Sequence, residues 1–279
     1  FVANDYGEPN EVWRNDGHGT FTNTNQALGA ADSQDVALGD LDGDNDLDAF
    51  VANDGVNQVW LNNGSGVFLP GQALGDYHSS EGVALGDVDG DNRTEIVFVS
   101  RERIHVLRLE NARLRKIWEK EGKRYQTFLA VDVADVNGNG LAEIFVTNVE
   151  GTGQRLASFV LEWDGADFKE VSKDDPWYYR VKDVPGRGKV LYGQKRNVDE
   201  LFASKVYELT WEGGGYQRGE ILKLPKNVNV FGFALGDATN NGQQSIIAYD
   251  ESDNIRIYDM SGNEQWKSDE RYGGSMNYL

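Results

Sequence analysis

The stretch Asp40-Leu-Asp-Gly-Asp-Asn-Asp-Leu-Asp48 decides how this chain is read. It places acidic side chains at the first, third, fifth and ninth positions of a nine-residue loop, with Gly43 fourth. Alternate spacing lets one tight turn direct several oxygens at a single hard cation, and the glycine frees the backbone to wrap around it. Ca²⁺ takes about six to eight oxygen ligands, and a loop of this kind supplies most of them. The loop recurs as Asp87-Val-Asp-Gly-Asp-Asn-Arg-Thr-Glu95 and, with fewer charges, as Asp135-Val-Asn-Gly-Asn-Gly-Leu-Ala-Glu143.

The sequence around the loop repeats with it. Phe1-Val-Ala-Asn-Asp5 returns word for word as Phe50-Val-Ala-Asn-Asp54, and Gln26-Ala-Leu-Gly29 as Gln72-Ala-Leu-Gly75. Val36-Ala-Leu-Gly-Asp40 returns as Val83-Ala-Leu-Gly-Asp87, and a last copy stands at Phe233-Ala-Leu-Gly-Asp237. The leading aspartates of the three loops lie 47 and then 48 residues apart, and a further 48 reaches Asp183. A cation loop at a fixed period marks one structural unit per repeat.

Each unit reads as four short strands. Val83-Ala-Leu-Gly86 is apolar and glycine-spaced, and the segment after the loop, Ile96-Val-Phe-Val99, is β-branched and aromatic, as strands buried on both faces are. The third alternates, as in Ile104-His-Val-Leu-Arg-Leu109, and a glycine turn leads to a more polar fourth. No segment sustains a helical period. Four antiparallel strands per unit of about 47 residues predict a six-bladed β-propeller. The expected blades are 35–75, 82–120, 128–173, 178–223, 231–270, and a composite of 1–29 with 275–279. In the composite, Ser275-Met-Asn-Tyr-Leu279 pairs beside the chain's first strand and removes an open edge. A seven-bladed propeller with part missing is the alternative.

Bulk composition is consistent with this. Among 279 residues there are 33 glycines and 5 prolines, which suits many strands joined by glycine turns. The net charge of −19 repels nucleic acid and anionic lipid and attracts cations. With no cysteine, thiolate metal sites, disulfides and cysteine nucleophiles are excluded. No run approaches the roughly 18 apolar residues of a membrane helix, so no membrane insertion is expected. The chain starts at Phe1 rather than Met, as expected of a processed or excised fragment.

The unit from Val36 to Val51 resembles the FG-GAP/VCBS repeat, which builds the integrin α-subunit propeller and many secreted bacterial propellers. The resemblance covers nearly the whole chain, most closely residues 1–100 and around 127–148. It implies Ca²⁺ held by side chains at positions one, three, five and nine and by the carbonyl at position seven. Carried over, the first site is Asp40, Asp42, Asp44 and Asp48 with the Asp46 carbonyl. The second is Asp87, Asp89, Asp91 and Glu95 with the Arg93 carbonyl. The third, weaker because only two of its ligands are charged, is Asp135, Asn137, Asn139 and Glu143 with the Leu141 carbonyl. No metal is expected at Asp183, where Pro185, Arg187 and Lys189 stand in place of ligands and a basic side chain replaces the ion. None is expected at Asp237, followed by Thr239, Asn241 and Ser245. The resemblance further implies a secreted or cell-surface module that binds or adheres to a protein or glycan at a propeller face.

The resemblance also implies two rival functions, since related propellers include sugar-binding lectins and polysaccharide lyases. A lectin would use exposed aromatics, for which Trp177-Tyr-Tyr179 is the candidate; Trp13, Trp60, Trp163 and Trp211 fall on third strands and are expected to pack between blades. A polysaccharide lyase would need a base and a basic charge neutraliser, for which Arg180, Lys182, Arg187 and Lys189 are the candidates. No nucleophile-elbow, phosphate-loop or zinc-ligand motif is present, and the paired carboxylates belong to the cation loops.

Overall fold

The computed structural model describes residues 1–4, 6–16, 20–75, 79–152, 155–197, 201–225, 228–249 and 254–270. Every named element is a β-strand. Strands β1 (Asn10–Asn15) and β2 (Phe21–Leu28) form an antiparallel pair. The next sheet takes β3 (Asp32–Gly39), β4 (Asp48–Asp54), β5 (Asn57–Asn62) and β6 (Phe68–Leu74) in chain order. The third takes β7 (Ser80–Gly86), β8 (Glu95–Ser100), β9 (Arg103–Glu110) and β10 (Arg113–Glu121) in the same way. The fourth contains β11 (Gln126–Ala134), β12 (Glu143–Glu150), β13 (Arg155–Leu156), β14 (Ser158–Trp163) and β15 (Phe168–Asp175), with the short β13 off the main path. Then come β16 (Tyr178–Val184), β17 (Gly188–Gln194), β18 (Val206–Glu212) and β19 (Gly215–Leu222), and finally β20 (Phe233–Gly236), β21 (Ser245–Tyr249), β22 (Ile255–Asp259) and β23 (Glu264–Lys267). This is an all-β propeller fold with four-stranded antiparallel blades.

The described residues hold five four-stranded blades, not the six expected. The shortfall lies in residues 1–28. There the first segment meets β1 through a single bridge, Val2 to Glu11, and among the described residues no ladder extends beyond the β1–β2 pair. The closing strand expected at 275–279 lies outside the described residues.

The chain gathers into two compact units, Phe1–Val133 with Val149–Thr152, and Ala134–Asn148 with Gly153–Leu279. In the first unit the second strands are the core: Ala49, Phe50, Val51 and Ala52, and Ile96, Val97, Phe98 and Val99, are all fully buried. Runs without alternation are what a strand covered on both faces requires. The Phe50 and Phe98 rings stack with centroids 5.6 Å apart, joining the two sheets into one cluster with Val59, Val83 and Leu107. Gly39 lies against this packing: a Cβ there would stand 2.9 Å from the Leu85 Cδ1, so that side chain would have to shift.

The repeated glutamines clip outer strands together. Gln26 on β2 accepts from the Phe68 N–H at 2.8 Å, and Gln72 on β6 accepts from the Leu114 N–H at 2.7 Å. Both clips span 42 residues, so the same side chain in successive copies does the same task.

The second unit has an aromatic core. Phe145, Tyr179 and Tyr216 meet edge to face at centroid distances of 5.3–6.4 Å, with Trp177, Leu191 and Leu209 around them. Trp177, Tyr178 and Tyr179 are only 5, 0 and 1% exposed, so the lectin candidate is core.

Candidate metal centre

The three acidic loops occupy one place in their blades, the link from first to second strand. In the first, β3 ends at Gly39 and β4 begins at Asp48, so the loop's last carboxylate is already part of the sheet. Asp40 closes the turn: its two oxygens accept the N–H groups of Gly43 at 2.7 Å and Asn45 at 3.0 Å. Gly43 and Asn45 stand at φ 86° and 70°, a left-handed pair that glycine and asparagine tolerate best. Asp42 and Asp44 each accept one backbone N–H within the loop, and the Asp46 carboxylate lies against Gly64. Asp48 is fully buried and accepts from Leu41 at 3.0 Å and Asn62 at 2.8 Å.

Asp40, Asp42 and Asp48 each offer an oxygen within 4.8 Å of the others. Burial, then the neighbouring Asp48 and Asp44 charges, raises the Asp42 carboxyl above its ordinary range, and burial raises Asp48. Among the described residues no lysine or arginine pairs with these carboxylates. The donor set is all hard oxygen with unrelieved like-charge repulsion, which fits a Ca²⁺ ion.

The second loop has the same backbone and a different interior. Asp87 accepts from Gly90 and Asn92, as its counterpart does from Gly43 and Asn45, and also from Asp91; Glu95 is fully buried with one oxygen on the Val88 N–H. Asp87, Asp89 and Glu95 again bring oxygens within 4.8 Å. Here Arg108 of β9, 7% exposed, enters the cluster. Its Nε donates to Glu95 at 2.6 Å and one terminal nitrogen to Asp89 at 2.5 Å, while the other terminal nitrogen forms an ion pair with Asp91 at 2.8 Å. Burial pushes the Glu95 carboxyl up to about 7 against the opposing pull of that guanidinium. The Arg93 side chain lies 3.9 Å from Glu110, outside the cluster.

The third loop uses amides. Asn137 and Asn139 accept backbone N–H groups through their oxygens and donate through their nitrogens to Glu162 of β14, at 2.5 and 2.9 Å. Asp135 takes the N–H groups of Gly138 and Gly140, and Leu141 donates its own N–H to Asn139. Glu143 is fully buried, accepts from Val136 and Asn137, and is raised by that burial. At Asp183 there is no nine-residue loop: Asp183 pairs with Lys189 inside the β16–β17 ladder, and Arg187 binds Glu208 of β18 at 2.5 and 3.0 Å. At Asp237 the turn survives on N–H groups of Asn241 and Gly242.

Sequence reasoning named the loop residues and missed their partners across the sheet. Glu95 pairs with Arg108 in the β8–β9 register. Ala49 pairs with Trp60 and Ile144 with Leu161, so Leu61 and Glu162 fall at the matching place beside the other two loops. The available signal was Arg108 itself, a charge in an apolar third strand where the first repeat has leucine.

A polar cavity of about 470 Å³ opens between the first two loops, lined among others by Asp40, Asp42, Arg93, Glu110 and Asn111. Of the lyase candidates, Arg187 is held by Glu208 and Lys182 lies 5.1 Å over the Phe233 ring. No helix among the described residues is long and apolar enough to cross a membrane.

Among solved structures, two crystals of BBS1N in complex with ARL6DN, soaked with lead and with mercury, are similar in fold. Each is 13% identical and covers 85% of this chain and 68% of its own, with TM-scores of 0.51 and 0.52. No curated protein matches the chain at significant similarity. The model of the FG-GAP-like repeat matches residues 1–51, 40–98 and 87–146, and each match contains a cation loop and ends in the strand that follows it. The chain therefore belongs to the FG-GAP-like repeat family.

Proposed function

We propose that this protein is a binding module whose propeller presents a surface to a protein partner, braced by Ca²⁺ in the loop at residues 40–48. The observation that carries the ion is the unrelieved carboxylate cluster of Asp40, Asp42 and Asp48 on a loop that joins two strands. An ion there would bind only the folded chain and so stabilise it. Asp44 and the Asp46 carbonyl would complete the donor set. Membership of the repeat family supports a binding rather than a catalytic role, and the similar BBS1N was crystallised with a protein, ARL6DN. A protein partner is favoured over a glycan because Trp177, Tyr178 and Tyr179 are buried. Loops of modest affinity, about 10⁻⁴–10⁻³ M, fill at extracellular Ca²⁺, which is why the proposal places the protein outside the cell or on its surface, in an adhesion role.

Thermal melting with Ca²⁺ and with chelator tests the brace, with Asp40→Asn/Asp42→Asn as the loop-specific control. Equal midpoints for the native chain in both buffers would sink it. Cross-linking to extracellular proteins, set beside a glycan array, tests the partner class; glycan binding alone would overturn the protein reading.

A further inference from the structure

The second loop keeps the acidic pattern of the first, yet its interior already contains a cation. All three nitrogens of the Arg108 guanidinium are used, each on a different carboxylate: Glu95, Asp89 and Asp91. Arginine is suited to this place because its planar fork holds several donors in fixed directions and its charge is permanent. The strand register delivers it, since Arg108 lies directly opposite Glu95, the ninth position of the loop. The matching place beside the first loop is Leu61, which has no charge to offer.

We infer that the second loop is braced by Arg108 in place of a metal ion, so that the residue opposite position nine selects between an internal and an external cation. A Ca²⁺ ion would have to approach the same oxygens to about 2.3–2.6 Å. One oxygen of each of these three carboxylates stands 2.5–2.8 Å from a guanidinium nitrogen, and although Asp89 Oδ1 is buried without a hydrogen-bond partner, an ion drawn to it would still meet the Arg108 charge at close range. The blade thus retains the turn and the register of a cation loop without depending on dissolved cations. This concerns the second loop alone and holds whether or not Ca²⁺ fills the first.

The test counts Ca²⁺ on the full chain, stripped with chelator and titrated while followed by native mass spectrometry and calorimetry. Arg108→Met removes the charge at similar length and is expected to bind one more Ca²⁺ than the native chain. Its melting midpoint gains a dependence on Ca²⁺ that exceeds the native one. In the otherwise native chain Asp91→Asn is expected to leave the Ca²⁺ count unchanged. A native count for Arg108→Met, or the loss of one ion in Asp91→Asn, would overturn the inference. If Arg108→Met does not refold without Ca²⁺, recovery on adding Ca²⁺ supports it and Asp91→Asn decides it. Asp40→Asn/Asp42→Asn reports separately on the first loop.

Discussion

Replacing Asp48 by asparagine probes the first loop without changing its volume. Asp48 is fully buried and its two oxygens receive the N–H groups of Leu41 and Asn62 at 3.0 and 2.8 Å. An amide keeps one acceptor and turns an NH₂ toward the other N–H. A hydrogen bond to a charged acceptor is worth about 1.5–3 kcal/mol, and a buried N–H left facing a donor costs about 1–3 kcal/mol. The two overlap, so the expected loss in saturating Ca²⁺ is about 2–4 kcal/mol. In chelator the substitution also removes a charge that neighbours Asp42 and Asp44. Relief of that repulsion returns on the order of 1 kcal/mol, so the loss should be smaller there. Urea unfolding in the two buffers measures both values. Losses under about 1 kcal/mol in both would refute the capping geometry, while equal losses would refute the ion.

Three further outcomes follow from other parts of the molecule. Gly193→Ala should cost about 1–3 kcal/mol in urea unfolding, because overpacking strains a core and its Cβ would meet Leu209 at 2.5 Å and Trp177 at 3.1 Å; Gly215→Ala, with only Gln217 at 3.7 Å, is the control and should be near neutral. Gln72→Leu should cost about 1–2 kcal/mol by leaving the Leu114 N–H without its acceptor, and the matching Gln26→Leu a similar amount. His105 lies 1% exposed with its ring stacked on Phe98. Burial, opposed by Glu119, holds it down from 6.5 to about 4. The unfolded chain then takes up a proton at a pH where the folded chain does not, so stability falls as pH drops from about 6.5 to about 4. The loss is on the order of 3 kcal/mol, and it should shrink in His105→Phe when unfolding is measured across that range.

The repeats made the fold legible because each copy solves one packing problem with nearly the same residues. Runs such as Ala49–Ala52 and Ile96–Val99 carry the mark of strands covered on both faces, and the loop spacing located the turns. What the pattern could not give is pairing across a sheet. Arg108, Glu162 and Glu208 belong to strands whose own periodicity is ordinary, and their meaning comes only from which loop the register sets beside them. The turn after Asp183 shows the same limit: counting residues finds the aspartate, but Arg187 draws the pairing to Glu208 and the chain closes as a short hairpin. Trp177, Tyr178 and Tyr179 could be read as surface or core, since aromatic content alone does not say which face a neighbour covers.

The two glutamine clips have a consequence for how such a chain grows. Gln26 and Gln72 each reach 42 residues forward, from the outer strand of one copy to that of the next. A duplicated segment therefore arrives with its adhesive already installed, facing a receptor site that the same duplication has supplied. No new contact has to be invented for the copy to dock, and later substitutions can alter the interior of a loop while the joint between neighbours is kept.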